Sequence, residues 1–293
     1  MANPRPARLL ALVSILAFWP GEARAQHEAS ETASLWRDEW PQFSALEGFF
    51  TSGAVLGMII FSVADPQHEP RWVGGNAFDD GPRKALRLPT ASARATAGHV
   101  SDVNYYTFPL IPVVIDSLIV SLLVRGDQKA SLNLFLVTGE ALAYSGLLSY
   151  VSNVAGARER PAITQCIADH GGATEACDLS SRADGFYSGH TAMAAASAGA
   201  VCAHHTFMPL WGHPVADGFA CGLGSAAMVA TGVGRVMADR HYLSDVLVGG
   251  AVGFGVGYLV PTLLHYRVPG GSTLMVSPAG ASGSTGLTVI GQF

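Results

Sequence analysis

Six long apolar stretches constrain the fold more than any other feature of this sequence. Each is close to the roughly 20 residues that a helix needs to cross a bilayer, and they occupy residues 45–64, 107–124, 131–152, 190–207, 216–234 and 243–264. Only 13% of the 293 residues are charged, about half of what a soluble domain carries. The sequence therefore predicts an all-α fold, a polytopic membrane bundle of about six helices. The net charge of −5 gives no reason to expect nucleic-acid binding.

The N-terminus has the three parts of a secretory signal. Arg5 and Arg8 form a basic start, Leu9–Trp19 is an apolar run too short to span a bilayer, and Ala23-Arg24-Ala25 offers small residues for cleavage. We expect residues 1–25 to be a signal peptide. The alternative is an uncleaved anchor.

The remaining chain divides into three regions by composition. Residues 26–105 carry the first apolar helix and a connection, residues 66–105, that is rich in Arg, Pro and Gly and is expected to lie along the membrane surface. Residues 106–266 form the helical core, and residues 267–293 form a C-terminal tail.

The tail changes character after a Pro-Gly-Gly break. Its two β-prone runs, Thr273–Val276 and Leu287–Phe293, predict a short hairpin. A disordered tail is the alternative.

Several residues inside the apolar stretches have a structural interpretation. Gly249, Gly253 and Gly257 recur at every fourth position, which favours the close approach of a neighbouring helix. Asp116 and Glu140 are costly in a membrane, so they are either functional or hydrogen-bonded between helices. His204 and His205 are expected to be structural.

The four cysteines fall into two pairs. Cys166 and Cys177 share a polar loop and could form a disulfide if that loop faces an oxidising compartment. Cys202 and Cys221 lie in apolar runs and are expected to be inert core thiols.

Three polar clusters interrupt the apolar pattern at Asn153–Pro161, Tyr187–His190 and Gly234–Asp245. The first follows the third apolar stretch and the second begins the fourth. The chain then crosses the membrane twice before it reaches the third cluster. Counting helices therefore places all three clusters on one membrane face, without reference to their chemistry.

The third cluster contains a candidate nucleophile. His241 and Asp245 are four residues apart, which puts them on one face of a helix. A carboxylate beside an imidazole fixes its tautomer, so His241 is a candidate nucleophile. Arg235 would point elsewhere on a continuous helix, so we predict a break between two helices near Met237 to Arg240.

The other two clusters add an anion site. Ser188 and Gly189 precede a helix, whose free N–H groups and dipole favour a bound anion. His190 starts that helix and is a second acid/base group. Arg160 and Arg235 are fixed cations suited to phosphate oxygens.

These clusters resemble the signature of the type 2 phosphatidic acid phosphatase and vanadium haloperoxidase superfamily, in its membrane-bound branch. That signature is Lys, six residues, Arg-Pro; then Pro-Ser-Gly-His; then Ser-Arg, five residues, His, three residues, Asp. The matching segments here are Arg160-Pro161, Ser188-Gly189-His190 and Arg235…His241…Asp245, in the same order and at the same spacing, within a resemblance over about residues 107–264. Three positions depart from it: Asn153 stands in place of Lys, Tyr187 in place of Pro and Gly234 in place of Ser.

The resemblance implies a two-step phosphatase reaction without metal or cofactor. His241 attacks phosphorus to give a phosphohistidine, His190 acts as acid and then as base, and Asp245 orients His241. The phosphate oxygens would be held by Arg160, Arg235, Ser188, Gly189 and Asn153, with Arg158 as a possible substitute for the missing lysine. The membrane setting suggests a lipid phosphate or isoprenyl pyrophosphate as substrate.

Two rival functions remain on the sequence alone. One is a vanadate-dependent haloperoxidase, although those relatives are soluble. The other is a degenerate, non-catalytic protein that binds lipid or phosphate, for which Asn153 is the sequence support. The oligomeric state and the choice between hydrolysis and phosphoryl transfer are not predicted.

The sequence gives two conflicting indications of sidedness. A translocated Gln26 followed by three crossings, together with the basic residues of 66–105, would put the clusters inside the cell. The resemblance and the Cys166–Cys177 pair favour the periplasmic face of a bacterial cell membrane, which we take as the expectation.

Overall fold

The computed structural model describes residues 34–64 and 69–266, and the backbone of residues 273–281 and 284–292. The expected signal peptide lies outside these residues. The described helices are α1 (Ala45–Ala64), α2 (Ala77–Leu86), α3 (Ala91–Thr107), a π-helix (Pro112–Val124), α4 (Gln128–Gly156), α5 (Pro161–His170), α6 (Gly189–Phe207), α7 (Pro214–Met237) and α8 (Leu243–Leu264). The predicted all-α membrane bundle is confirmed.

Five helical segments of the described chain are long and apolar enough to cross a membrane. They are Ala45–Val63, Ala91–Val124, Gln128–Gly156, Pro214–Met237 and Leu243–Leu264. The predicted stretch at 190–207 is not among them, because the corresponding α6 is rich in alanine and polar residues. The chain is a membrane protein with one inner helix of more polar composition.

Helix α6 lies at the centre of the bundle and buries most of its side chains, which are small. It packs mainly against α8 and α7. A Cβ added to Gly253 or Gly257 would collide with the backbone oxygen of Ala192 or Ala196 on α6. The predicted glycine stripe on α8 is therefore confirmed, and only residues without a side chain allow this approach.

Residues 66–105 were expected to be a surface connection, and this is wrong for residues 91–105, which belong to a helical segment long and apolar enough to cross a membrane. This region contains α2, which starts at a capping box of Asn76 and Asp79, and nearly all of α3, which starts at the Thr90 cap. Helix α3 continues towards the π-helix, so the boundary expected at residue 105 falls inside a helix. Helix α3 packs against α7 and thereby becomes part of the core.

The cysteines form two disulfides. Cys166 is bonded to Cys177, as anticipated. Cys202 is bonded to Cys221, so the expectation of free core thiols is wrong. The sequence could not show this second bond, because it depends on how closely α6 and α7 approach.

The polar residues within the apolar stretches are partnered or clustered. His205 lies between Asp217, at 2.6 Å from Nδ1, and Asp116, at 3.3 Å from Nε2. His204 contacts the Thr138 hydroxyl and the Tyr266 hydroxyl. Asp116 was expected to be either functional or hydrogen-bonded between helices, and its contact with His205 of α6 agrees with the second interpretation.

The C-terminal segment forms two antiparallel strands. Strand β1 (Thr273–Ala281) pairs with β2 (Ser284–Gln292), from Thr273 opposite Gln292 to Ala281 opposite Ser284. The first β-prone run lies in β1, and residues 287–292 of the second lie in β2.

Candidate active site

The three polar clusters meet at one end of the bundle, as counting helices predicted. The first lies between α4 and α5, the second directly precedes α6, and the third joins α7 to α8. Helix α7 ends at Met237 and α8 begins at Leu243. The predicted break is therefore confirmed, and it brings Arg235 and His241 to the same site.

Backbone hydrogen bonds tie the three loops to one another in pairs. The donor–acceptor pairs are Gly185 N to Arg158 O at 2.8 Å, Ala162 N to Asp239 O at 3.1 Å, and Ser188 N to Asp245 O at 3.1 Å. Each loop is held by both others, so the side chains they carry are fixed relative to one another.

Gly185 is a junction that the sequence did not reveal. A Cβ there would lie 2.6 Å from the Arg158 carbonyl oxygen, so only glycine fits. Its own carbonyl oxygen lies 2.9 Å from His241 Nδ1. Because a carbonyl only accepts, Nδ1 carries the proton and Nε2 of His241 keeps its lone pair.

His241 is buried and electrostatically held neutral. Burial, followed by the positive charges of Arg235 and Arg160, lowers the pKa of His241 well below its ordinary value of 6.5. A neutral imidazole with a free Nε2 is the nucleophilic form. The predicted chemistry of His241 thus has a physical basis in its surroundings.

Asp245 is close to His241 but does not hydrogen-bond to it. The distance from Asp245 Oδ2 to His241 Nδ1 is 3.9 Å, which is too long for a hydrogen bond. Asp245 Oδ2 accepts instead from the Tyr242 N–H at 2.8 Å. The predicted orienting contact is therefore made here by Gly185, and Asp245 acts through the loop that carries His241.

Arg158 has no free charge to offer a phosphate. Its guanidinium is fully buried and binds Asp245 at 2.5 Å and Asp79 at 2.7 Å. The rings of Trp72 and Tyr242 lie on it, with centroids 3.7 and 4.1 Å from its Cζ. The suggestion that Arg158 replaces the missing lysine does not fit this position, since all its contacts are internal.

Asp102 joins two signature residues and was missed in the sequence. Its Oδ1 lies 2.7 Å from Arg235 Nη1 and 2.9 Å from His190 Nε2. It belongs to α3, in the region expected to be a surface connection. Helix α3 passes close to Gly234, where an added Cβ would lie 3.4 Å from the Ser101 Cβ, an ordinary contact distance.

Arg160 is a cation without a carboxylate partner at salt-bridge distance among the described residues. Its Nε lies 3.5 Å from the Asp184 carbonyl oxygen. Burial lowers the pKa of Arg160 below its ordinary value, and nearby Arg240 acts in the same direction. A cavity of about 310 Å³ is lined by Arg160, Arg240 and Arg94, so positive charge surrounds the approach to Arg160.

The start of α6 offers backbone donors. The Ser188 side chain caps the helix by accepting from the Thr191 N–H, and the Ser188 N–H already donates to Asp245. The first-turn N–H groups of Gly189 and His190 have no intrahelical acceptor. They, rather than the Ser188 hydroxyl, are the donors available to an anion.

Asn153 lies in the last turn of α4, where the signature has lysine. Its Oδ1 is buried and has no hydrogen-bond partner among the described residues. An amide brings a donor but no charge to this position.

A second carboxylate that the sequence did not single out is Asp239, between Arg235 and His241. It is fully buried and binds Arg83 of α2 and Arg87, the residue after α2, at 2.7 Å each. Although burial opposes ionisation, these two guanidinium groups hold the pKa of Asp239 below its ordinary value. Helix α2 therefore fixes the signature loop from outside, through a pairing that no local pattern predicts.

The family comparison agrees with the geometry. Residues 134–269 match the model of the PAP2 superfamily. These residues form a PAP2 superfamily domain. The PAP2 domain contains all three signature loops and helices α6 to α8, while Asp102, Arg83 and Arg87 precede it.

One solved structure is similar to this chain. It is described as the first transmembrane PAP2-type phosphatidylglycerolphosphate phosphatase, from Bacillus subtilis, with 19% identity and a TM-score of 0.46 over 72% of this chain and 93% of that chain. No curated protein matches the chain.

Proposed function

We propose that this protein is a membrane phosphatase that hydrolyses a lipid phosphate or an isoprenyl pyrophosphate through a phosphohistidine on His241. The observation that carries the proposal is the buried, neutral His241, whose Nδ1–H donates to the Gly185 carbonyl and whose Nε2 has no hydrogen-bond partner among the described residues. Arg160 and Arg235 act electrostatically on the same imidazole, so a phosphate held by them would lie beside the nucleophile.

In the first step, the lone pair of His241 Nε2 forms a bond to phosphorus and the bond from phosphorus to the leaving oxygen breaks. His190 transfers a proton to that oxygen. Burial and the charge of Arg235 lower the pKa of His190 to about 3, whereas Asp102, 2.9 Å from His190 Nε2, acts in the opposite direction. The negative charge of a bound phosphate would add to the effect of Asp102 and favour the protonated form of His190 before transfer. The alcohol product then leaves with its tail.

In the second step, His190 takes a proton from water, and the water oxygen attacks phosphorus. The bond between phosphorus and Nε2 breaks and returns its electron pair to His241. Arg160, Arg235 and the N–H groups of Gly189 and His190 hold the equatorial oxygens, whose charge they stabilise in both transition states.

This cradle is made entirely of groups from the chain, so we expect turnover without metal. Purified protein in detergent should release inorganic phosphate from a long-chain lipid phosphate in excess chelator. Failure to release phosphate unless a metal is added would contradict the mechanism. Bromide oxidation in the presence of vanadate and peroxide would instead favour the haloperoxidase alternative.

An apolar groove supports a lipid substrate. It has a volume of about 480 Å³ and is lined by Val236, Leu243, Leu247, Phe254 and Thr191, among others. Thr191 follows His190 directly, and Val236 follows Arg235. A hydrocarbon chain in this groove would therefore have its phosphate end near the signature loops.

Filling the groove should select against long tails. Ala251 lines it, and Ala251→Phe is expected to raise KM for a long-chain lipid phosphate about tenfold, because lost burial of two methylenes costs roughly 1.6 kcal/mol. Hydrolysis of a short-chain, water-soluble phosphate should be unchanged. Ala226→Phe, at an exposed position of α7 outside the groove, is the control. Equal effects of Ala251→Phe on both substrates would contradict a tail site here.

Restoring the signature lysine should accelerate the reaction. Asn153→Lys adds a charged hydrogen bond to phosphate, worth about 1.5–3 kcal/mol, so kcat/KM should rise on the order of ten- to a hundredfold. Asn153→Met, which is similar in length but uncharged, is the control and should not accelerate turnover. Absence of turnover in both the native protein and Asn153→Lys would favour the non-catalytic binder.

We also propose that the site faces the periplasm of a bacterial cell. The Cys166–Cys177 disulfide, on the connection between the first two signature loops, supports an oxidising environment on that side. The Cys202–Cys221 bond gives no further support, because it lies between α6 and α7.

A further inference from the structure

We propose that Glu47, Glu140 and His265 form a binding site for a divalent transition-metal ion, for which Zn²⁺ is the best match. The three residues come from the first turn of α1, from the middle of α4 and from the position after α8. The site is separate from the signature loops. Asn153 follows Glu140 by thirteen positions in α4, which corresponds to about 20 Å along the helix.

The three side chains converge on one point. His265 Nε2 lies 3.6 Å from Glu140 Oε2 and 3.7 Å from Glu47 Oε1, and all three atoms lie within 4.8 Å of one another. These separations are too long for hydrogen bonds. Neighbouring ligand atoms around a tetrahedral Zn²⁺ are roughly 3.3–3.6 Å apart, given bonds of about 2.0–2.2 Å. The two distances from His265 Nε2 are already close to this spacing, and a bound ion would draw the two carboxylates towards each other, with water as the fourth ligand.

Each side chain is also anchored through its other polar atom, as ligands of bound metals usually are. The anchoring contacts are His265 Nδ1 with Pro41 O at 3.2 Å, Glu140 Oε1 with the Tyr144 hydroxyl at 2.9 Å, and Glu47 Oε2 with Ser44 N at 2.5 Å. The remaining atom of each residue is the one that faces the shared point.

The tautomer of His265 makes the arrangement unfavourable without a cation. Because the Pro41 carbonyl only accepts, Nδ1 carries the proton and the lone pair of Nε2 faces two carboxylates. His265 and Glu140 are fully buried, and neither Nε2 nor Oε2 has a hydrogen-bond partner among the described residues. Buried unpaired groups of this kind are costly. A divalent ion would bind the lone pair and neutralise both carboxylates.

A metal here would attach α1 to the bundle. Among the described side chains of α1, only that of Ala54 is buried. The packing of α1 against α4 is therefore shallow. The metal would link the start of α1 to α4 and to the end of α8. A structural, rather than catalytic, ion follows from this position.

A second cluster of residues of types that bind metals, found among the described residues, is a weaker candidate for a metal site. Cys166 and Cys177 lie near His170, but their sulfur atoms are bonded to each other. A disulfide offers no thiolate, which is the form that binds zinc.

The test is zinc binding by the full-length protein, purified in detergent through a tag without histidine and stripped with chelator. Titration calorimetry should give one Zn²⁺ per chain, and zinc should raise Tm. His265→Gln and Glu47→Gln should weaken binding on the order of 100-fold or more and lose the zinc-dependent rise in Tm. His99→Gln, at an exposed histidine of α3, should bind like the native protein.

Two results would overturn the proposal. One is the absence of zinc binding and of any zinc-dependent change in Tm in the native protein, which would leave an ion pair of a protonated His265. The other is equal binding in all variants. Glu47 is partly exposed, so Glu47→Gln decides the question even if His265→Gln does not fold. Phosphate release, measured in chelator below the Tm of the metal-free protein, tests the phosphatase separately.

Discussion

Replacing His241 with glutamine is expected to reduce phosphate release by at least about 10³-fold, because the reaction loses its nucleophile. Glutamine is similar in size and can still donate to the Gly185 carbonyl, so the loop should keep its structure. The measurement is phosphate release from a long-chain lipid phosphate in excess chelator. Acid-labile labelling of the protein by a radioactive substrate should disappear in the same variant.

The matched control is His213→Gln, which changes an exposed histidine at the opposite end of α7 from Arg235. It should retain native turnover. Activity in His241→Gln within tenfold of the native value would rule out the phosphohistidine route, whatever the substrate.

The pH dependence follows from the same residue. Since the pKa of His241 is lowered well below 6.5, this group should stay neutral in the folded enzyme as the pH falls through 6.5. In the profile of kcat/KM against pH, the acidic decrease that reports protonation of His241 should therefore occur well below pH 6.5. In the unfolded chain the imidazole titrates near 6.5, so His241 should reduce the stability of the fold as the pH falls below that value.

Replacing Arg158 with methionine is expected to destabilise the protein by about 3–5 kcal/mol. The change leaves Asp79 and Asp245 as buried carboxylates without their common cation. Removing one partner of a buried ion pair costs more free energy of unfolding than the intact pair contributes, because the remaining charge is left unpaired. Burial opposes the ionisation of Asp79, whose pKa is nevertheless lowered, with Arg158 as the largest favourable cause. The stacking of the guanidinium between Trp72 and Tyr242 is lost as well.

Thermal unfolding in detergent should show this loss as a decrease in Tm on the order of 10 °C. Arg71→Met, at an exposed arginine whose side chain contacts the Ala155 carbonyl at 3.4 Å, should leave Tm nearly unchanged. If Arg158→Met keeps the native Tm but loses activity, the interpretation of Arg158 as an internal structural cation is wrong. Arg158 would then have to act on phosphate.

The sequence and the structure agree best where the relevant spacing is local. The break between α7 and α8 was predicted from the need for Arg235 to converge on the site, and it is present, although it leaves His241 in the loop before α8 rather than on one helix face with Asp245. Glycines at every fourth position of α8 likewise predicted a close helix contact. In each case the geometry of one helix or one turn is enough to relate the residues.

They disagree where a partner is distant in the chain. Arg158 was considered for phosphate because it is two residues from Arg160, yet its carboxylates come from α2 and α8. Asp102 was missed because its region is polar enough to resemble a surface connection, although α3 packs against α7. A one-dimensional pattern does not contain these pairings.

By itself, the sequence determined the membrane bundle, the order and spacing of the three signature loops, and the histidine that they surround. It did so because apolar length and short-range spacing are properties of single helices. Only the tertiary structure decided that Gly185 fixes the tautomer of His241, that Asp102 bridges His190 and Arg235, and that Arg158 is internal. These roles arise when helices more than 50 residues apart pack together, and the burial that results determines which charges must be paired and which remain available to a phosphate.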